Sequence, residues 1–195
     1  MKNFESILNI AAGKFQPLEL PENFFLLNLD TMYYQANTPE QSEENFFRTN
    51  TDERTFAYCN ADAYEFMERT KLKFDRVCIY RFLEHVPMDK LLYFIYLVSC
   101  VTKTGALVDV IVPNYAVLAE MLLREHTTHP NFEKQNILLT TELLNEPSCP
   151  HASIWTVDRV KYFWEMEERF KTNVIVPNFE YDGRDIYIRF KVKRV

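Results

Sequence analysis

Short apolar runs of strand length alternate along the chain with longer segments of helical period. In chain order, the strand-like runs read FESILNI, FFLLNLD, FAYCNAD, FDRVCIY and GALVDVIVP. Each run is short and is bounded by charged residues, glycine or proline, as β-strands commonly are. The alternation of such runs with helical segments predicts βαβ units around a mostly parallel sheet.

Two segments have the spacing of amphipathic helices. The stretch MDKLLYFIYLVSCVTK carries an apolar stripe at three- and four-residue intervals, formed by Leu91, Leu92, Ile95, Val98 and Val101. We expect this helix to begin at Pro87 and to end at Thr104 and Gly105. The stretch TVDRVKYFWEMEERF predicts a second helix, with Thr156 as its N-cap.

The last part of the chain alternates apolar and polar residues with a period of two. The segments NVIVPNFEY and DIYIRFKVKRV, joined by DGR, predict an antiparallel hairpin at the edge of the sheet. The chain has only three glycines, Gly13, Gly105 and Gly183. Each is predicted to lie in a loop beside a strand, where the backbone needs the conformational freedom of glycine.

Composition and charge narrow the class of protein. A chain of 195 residues with 47% apolar residues fits one domain with its own core. No apolar run approaches the roughly 20 residues that span a bilayer, and the N-terminus lacks the apolar region of a signal peptide, so we expect a cytoplasmic protein without a membrane segment. The net charge of -6 argues against general nucleic-acid binding. The four cysteines, widely spaced, are expected to be reduced.

Two residues favour a nucleoside-containing ligand. In an open α/β sheet, ligands bind at the carboxyl ends of the strands. Gly13 lies in the loop after the first predicted strand, and Asp30 ends the second. An acidic residue there commonly binds the ribose hydroxyls in dinucleotide sites, so the same role is predicted for Asp30.

Several stretches, in the same order, resemble motifs of the class I S-adenosylmethionine-dependent methyltransferases. LNIAAGKFQPLEL and FFLLNLD are similar to the subgroup whose first motif reads L-N-x-G-x-G, followed by a short loop and N-x-D. The family's third, fourth and fifth strand segments are resembled by NADAYEF, FDRVCIYRFLEHVP and VTKTGALVDVIVPN, in that order. The segment that opens the family's penultimate helix is resembled by HASIWTVDRVKYF, and its final strand by DGRDIYIRFKVKR. The resemblance implies a Rossmann-like α/β fold with a mostly parallel seven-stranded sheet, an antiparallel last strand and helices on both faces.

The same resemblance implies S-adenosylmethionine as cofactor and methyl transfer to a small-molecule, sugar or protein acceptor. The implied cofactor-binding residues are Asn9, Ala11 and Gly13 at the methionine end, Asp30 at the ribose, Asp62 and Ala63 at the adenine, and Arg81 and Phe82 along the pocket. Candidate catalytic bases are His85, Glu84 and His151. The insert at residues 115–150 is expected to cover the acceptor site.

Departures from the family pattern leave a second function open. Ala11 replaces the first loop glycine, and Thr104 and Ala106 replace the proline and second glycine before the fifth strand. Residues 14–23 are too few, and too rich in proline, for the usual first helix. The alternative is a catalytically inactive, methyltransferase-like binding or assembly subunit. Its partner anchors would be the aromatic residues of a polar loop, Tyr33, Tyr34, Phe46 and Phe47.

Other interpretations compete for single residues. His126, His129, Cys149 and His151 have the ligand chemistry of a tetrahedral zinc site, although the methyltransferase resemblance gives His151 another role and the preferred interpretation assigns no metal. Asp30 and Asp62 could each be the N-cap of a following helix. Paired aromatic residues could stack on bases, but core packing is the commoner use. A homodimer or an assembly partner stays open.

Overall fold

The computed structural model describes residues 4–10, 17, 19–30, 46–51, 54–125, 151–181 and 184–195. The strands are β1 (Glu5–Ile10), β2 (Phe24–Leu29), β3 (Phe46–Thr51), β4 (Arg54–Cys59), β5 (Phe74–Tyr80), β6 (Thr102–Pro113), β7 (Phe170–Tyr181) and β8 (Arg184–Arg194). The helices are α1 (Ala63–Arg69), α2 (Met88–Val101), α3 (Tyr115–Glu125) and α4 (Val157–Met166), with a 3₁₀ turn at Leu83–His85.

One mixed sheet holds all eight strands in the order β3-β4-β2-β1-β5-β6-β8-β7. The central strands β4, β2, β1, β5 and β6 are parallel neighbours, as predicted, and α2 connects the neighbours β5 and β6 in a βαβ unit. Strand β8 is antiparallel to both β6 and β7, so the predicted C-terminal hairpin forms with β7 at the sheet edge. Among the described residues the sheet has eight strands and not the predicted seven, because β3 adds an antiparallel strand beside β4 at the other edge.

The missed strand β3 includes Phe46 and Phe47, which the sequence placed in a polar loop. Its sequence, FFRTNT, lacks the alternation of apolar and polar residues that marks a half-buried strand, so the pattern did not predict it. Tyr33 and Tyr34 lie outside the described residues.

The main core lies on one face of the sheet, under α1, α2 and α4. Side chains alternate along a strand, so Leu8, Ile10, Val77 and Ile79 point to this face, while Ile7 and Cys78 belong to a second cluster on the other. In α2 the buried stripe includes Leu91, Ile95 and Val98 as predicted, but Phe94 replaces Leu92, which is exposed. Helices on the second face stay a prediction.

The end of α2 differs from the prediction. The helix stops at Val101, and residues 102–105 already belong to β6. The register shifts there, with Phe74 opposite Thr102 but Arg76 opposite Leu107. Gly105 has φ of 81° inside this irregular stretch, a conformation that side chains with a Cβ rarely adopt. Gly13 and Gly183 lie outside the described residues.

Three cysteines can be placed. Cys59, Cys78 and Cys100 are free thiols in the structure, and Cys78 is buried. Burial raises the pKa of Cys78 to about 12, so this thiol stays protonated. None of the helices among the described residues is long and apolar enough to cross a membrane.

Candidate functional site

Residues predicted to bind a cofactor lie along one edge of the sheet, the edge formed by the carboxyl ends of its parallel strands. Because β1, β2, β4 and β5 are parallel, their carboxyl ends meet at this edge. Asn9 lies near the end of β1, and Asp30, Asp62 and Arg81 come soon after β2, β4 and β5. This is the edge at which open α/β sheets bind ligands. Ala11 and Gly13, predicted for the same place, lie outside the described residues.

Asn9 pairs with a residue that the sequence analysis missed. It is fully buried, and its Nδ2 donates a hydrogen bond to Oδ1 of Asn28 at 2.8 Å. The two residues are opposite each other in the β1–β2 register. A signal for Asn28 was present, because an asparagine inside the apolar run FFLLNLD must find a polar partner once it is buried.

The two acidic candidates are held differently. The backbone N–H of Asp30 donates to the carbonyl of Cys59 at 3.2 Å, which ties the end of β2 to the end of β4. Oδ1 of Asp62 accepts the backbone N–H groups of Tyr64 and Glu65 at 2.9 and 3.1 Å. The capping role is therefore confirmed for Asp62, and Ala63 is the first residue of the helix that it caps.

Arg81 and Phe82 turn the chain sharply after β5. Arg81 has φ of 55°, and its N–H donates to the carbonyl of Ile111 at 2.8 Å. Its guanidinium carbon lies 5.4 Å from the centre of the Tyr187 ring, within cation–π distance. Phe82 packs instead against Phe94 of α2, with ring centres 5.5 Å apart. A non-glycine residue at positive φ is rare, and such strain clusters at functional sites.

The three candidate bases form one cluster. Glu84 and His85 lie in the 3₁₀ turn after β5, and His151 begins the segment that leads into α4. The rings of His85 and His151 are 4.8 Å apart at an angle of 70°. One ligand atom from each of the three side chains lies within 4.8 Å of the other two. Glu84 is fully buried and the histidines are half-buried.

Hydrogen bonds fasten this segment to the turn. The carbonyl of Glu84 accepts the N–H groups of Ala152 and Ser153 at 2.6 and 3.0 Å. Oγ of Ser153 donates to the carbonyl of Leu83 at 2.7 Å and accepts Nε1–H of Trp155 at 3.0 Å. Backbone and buried side-chain hydrogen bonds therefore fix the position of His151 beside His85.

Tyr115 is a further member that the sequence analysis missed. Its hydroxyl is hydrogen-bonded to Nδ1 of His151, and its own N–H donates to the carbonyl of Trp155 at 3.1 Å. Tyr115 is 7% exposed and is the first residue of α3, which begins shortly after β6. Contact with the Tyr115 hydroxyl orients the imidazole of His151. Of the zinc set predicted from sequence, His126, His129 and Cys149 lie outside the described residues.

Comparison with known proteins gives structural matches only. No protein-family model matches the chain, and no curated protein matches it in sequence. A methyltransferase structure from Methanosarcina mazei, described as S-adenosylmethionine-dependent, superposes with a TM-score of 0.54 and 15% identity over 100% of this chain and 94% of that chain.

Two further solved structures contain S-adenosylhomocysteine. The N-methyltransferase NodS from Bradyrhizobium japonicum matches with a TM-score of 0.55 and 12% identity, over 97% of this chain and 78% of its own. The magnesium protoporphyrin IX methyltransferase ChlM from Synechocystis matches with a TM-score of 0.56 and 10% identity, over 97% of this chain and 74% of its own. The chain therefore has the Rossmann-like fold of these S-adenosylmethionine-dependent methyltransferases.

Proposed function

We propose that this protein transfers a methyl group from S-adenosylmethionine to a small-molecule, sugar or protein acceptor. The observation that carries the proposal is the order of polar residues along one edge of a methyltransferase-like sheet. Asp30 follows β2 and Asp62 follows β4, where the resemblance places the contacts to ribose and adenine. Asn9, Ala11 and Gly13 would hold the methionine end, with Ala63, Arg81 and Phe82 along the pocket.

A cleft beside Asp62 supports the adenine end of this assignment. It has a volume of about 410 Å³ and is lined by Asn60, Ala61, Glu65, Phe66, Arg69 and Thr70. Asn60 and Ala61 directly follow β4 and precede Asp62 and Ala63, the residues proposed to contact the adenine. The cleft is shallow and open to solvent, and Asp62 and Ala63 adjoin it without lining it.

The cluster of Glu84, His85 and His151 supports an acceptor side beyond the end of β5. S-adenosylmethionine supplies an activated methyl group, so the protein must bind it, exclude water and align the acceptor. An imidazole or carboxylate can accept the proton of a hydroxyl or amine acceptor. We assign that role to this cluster, with His85 adjoining the cofactor pocket residues.

A second candidate function is a binding or assembly subunit without catalysis. Several proposed cofactor residues already have partners within the protein: Asn9 pairs with Asn28, Asp62 caps α1, and Arg81 lies over Tyr187. These contacts already occupy polar groups of the side chains that are proposed to bind the cofactor. This observation favours the inactive alternative and makes a direct binding measurement decisive.

Isothermal titration with S-adenosylmethionine and S-adenosylhomocysteine tests the proposal. We expect micromolar binding to the native protein, and binding at least about tenfold weaker in Asp30→Ala, since lost contacts of about 1.4 kcal/mol change affinity tenfold. Glu165→Ala is the matched control, because Glu165 is an exposed acidic residue of α4. If the folded native protein gives no binding heat, or if Asp30→Ala binds as tightly as the native protein, the proposed cofactor site is wrong.

A further inference from the structure

We propose that Glu84, His85 and His151 bind one divalent transition-metal ion. The three side chains come from two segments far apart in the sequence and present their ligand atoms within 4.8 Å of one another. Two imidazoles and one carboxylate are the protein ligands of several catalytic zinc sites and of non-haem iron sites. The set differs from the zinc site suggested by the sequence, which paired His151 with His126, His129 and Cys149.

The spacing of the ligand atoms fits a site that closes slightly around an ion. Bonds of about 2.0–2.2 Å to zinc place neighbouring ligand atoms roughly 3–4 Å apart in tetrahedral geometry. The ligand atoms lie within 4.8 Å of one another, which exceeds a tetrahedral spacing of about 3.4 Å by about 1.4 Å at most. Side-chain rotation can supply that movement while the backbone stays fixed by the bonds of Ala152 and Ser153 to the Glu84 carbonyl.

The surroundings of the cluster resemble those that metal sites require. Histidines that bind metals commonly form a hydrogen bond through their other ring nitrogen, which orients the ring. Tyr115 makes this bond to Nδ1 of His151, so Nε2 is the nitrogen that the proposal assigns to the ion. Glu84 is fully buried, and a buried carboxylate is stabilised by pairing or by a metal ion.

Three protein ligands leave at least one coordination position for water or for an exogenous ligand. If the methyl-transfer proposal holds, that position would orient an acceptor oxygen; this use rests on the proposed function, whereas ion binding itself does not. A nitrogen that binds the ion cannot also accept a proton. The experiment therefore also decides between the two ways in which the cluster could act.

Titration of the tag-free, full-length protein with zinc chloride, after removal of bound metal by a chelator, tests the site. We expect one ion per chain, and binding at least about tenfold weaker in His85→Gln and in His151→Gln. Magnesium chloride should show no comparable binding, because that ion prefers oxygen ligands. Absence of saturable zinc binding to the native protein would overturn the proposal.

The double variant His129→Gln/Cys149→Ser is the control, because it removes two of the alternative zinc ligands and none of the three residues of the cluster. Unchanged zinc affinity in this variant supports the proposal, and lost affinity overturns it. If the histidine variants fail to fold, the spectrum of the cobalt-substituted native protein decides. Ligand-field bands without a thiolate charge-transfer band support the site, whereas a thiolate band, or no ligand-field bands, overturns it.

Discussion

The buried ion pair between Asp109 and Arg189 gives the strongest stability prediction. Nε and Nη2 of Arg189 donate to Oδ1 and Oδ2 of Asp109 at 2.9 and 2.6 Å, and the residues are 8% and 2% exposed. The hydrogen bond to Asp109 raises the pKa of Arg189 further, so the guanidinium stays charged. Because Asp109 lies in β6 and Arg189 in β8, the pair joins the C-terminal hairpin to the parallel strands.

The expected magnitude follows from leaving one buried charge without its partner. Asp109→Leu and Arg189→Met should each lower the free energy of unfolding by about 3–5 kcal/mol. The double variant should lose much less than the sum, since it leaves neither charge buried alone. Its remaining loss is expected to be about 1–3 kcal/mol, because the hydroxyl of Tyr80 donates to Asp109 at 3.0 Å and would lose that acceptor.

Urea denaturation followed by circular dichroism measures all three free energies, and the double-mutant cycle gives the coupling. Glu19→Gln is the control within the same network. Glu19 lies 3.3 Å from Arg189, but its side chain is 66% exposed, so its loss should cost less than about 1 kcal/mol. The reasoning is refuted if either single variant costs less than 1 kcal/mol, or if the double variant loses the full sum.

Three further predictions concern local contacts. Burial tends to raise the pKa of Asp75, but hydrogen bonds from Lys103 and Ser6 outweigh it and the pKa is lowered. Native stability should therefore fall as the pH drops below about 4, and the urea midpoint of Asp75→Asn should depend less on pH in that range. Asp62→Ala should lower the free energy of unfolding by about 1 kcal/mol through loss of the α1 cap, whereas Asp62→Ser should retain most of it, and equal urea midpoints would contradict this. Ser153→Ala removes two buried hydrogen bonds and should lower the free energy of unfolding by about 1–3 kcal/mol; an unchanged melting curve would contradict the proposed fastening of the His151 segment.

The central strands could be predicted from sequence because buried parallel strands need continuous apolar runs. β1, β2, β5 and the apolar part of β6 follow this rule. The first residues of β6 do not, because Thr102 to Gly105 are mostly polar and pair irregularly with β5. β3 was missed because its sequence, FFRTNT, carries neither a continuous apolar run nor an apolar alternation.

The candidate site likewise contains residues that could be predicted from the sequence and contacts that could not. Asp30, Asp62 and Arg81 could be placed in advance, because the carboxyl ends of parallel strands meet at one edge whatever the remaining sequence is. The contact of His151 with His85 could not, since it depends on the Glu84 carbonyl accepting two N–H groups from a distant segment. Tyr115 begins the insert that was expected to cover the acceptor site, but nothing in its neighbours distinguishes it individually from a core tyrosine.

The cofactor and metal measurements are independent because they probe residues that follow different strands at the carboxyl ends of the parallel sheet. Asp30 follows β2, whereas the Glu84–His85–His151 cluster lies beyond β5, with β1 between these strands. Cofactor binding without metal binding would leave the cluster as a set of proton acceptors. Both together would indicate an acceptor oriented through an ion. Metal binding alone would separate the cluster from methyl transfer and favour the inactive alternative, in which the fold serves as a scaffold for another ligand.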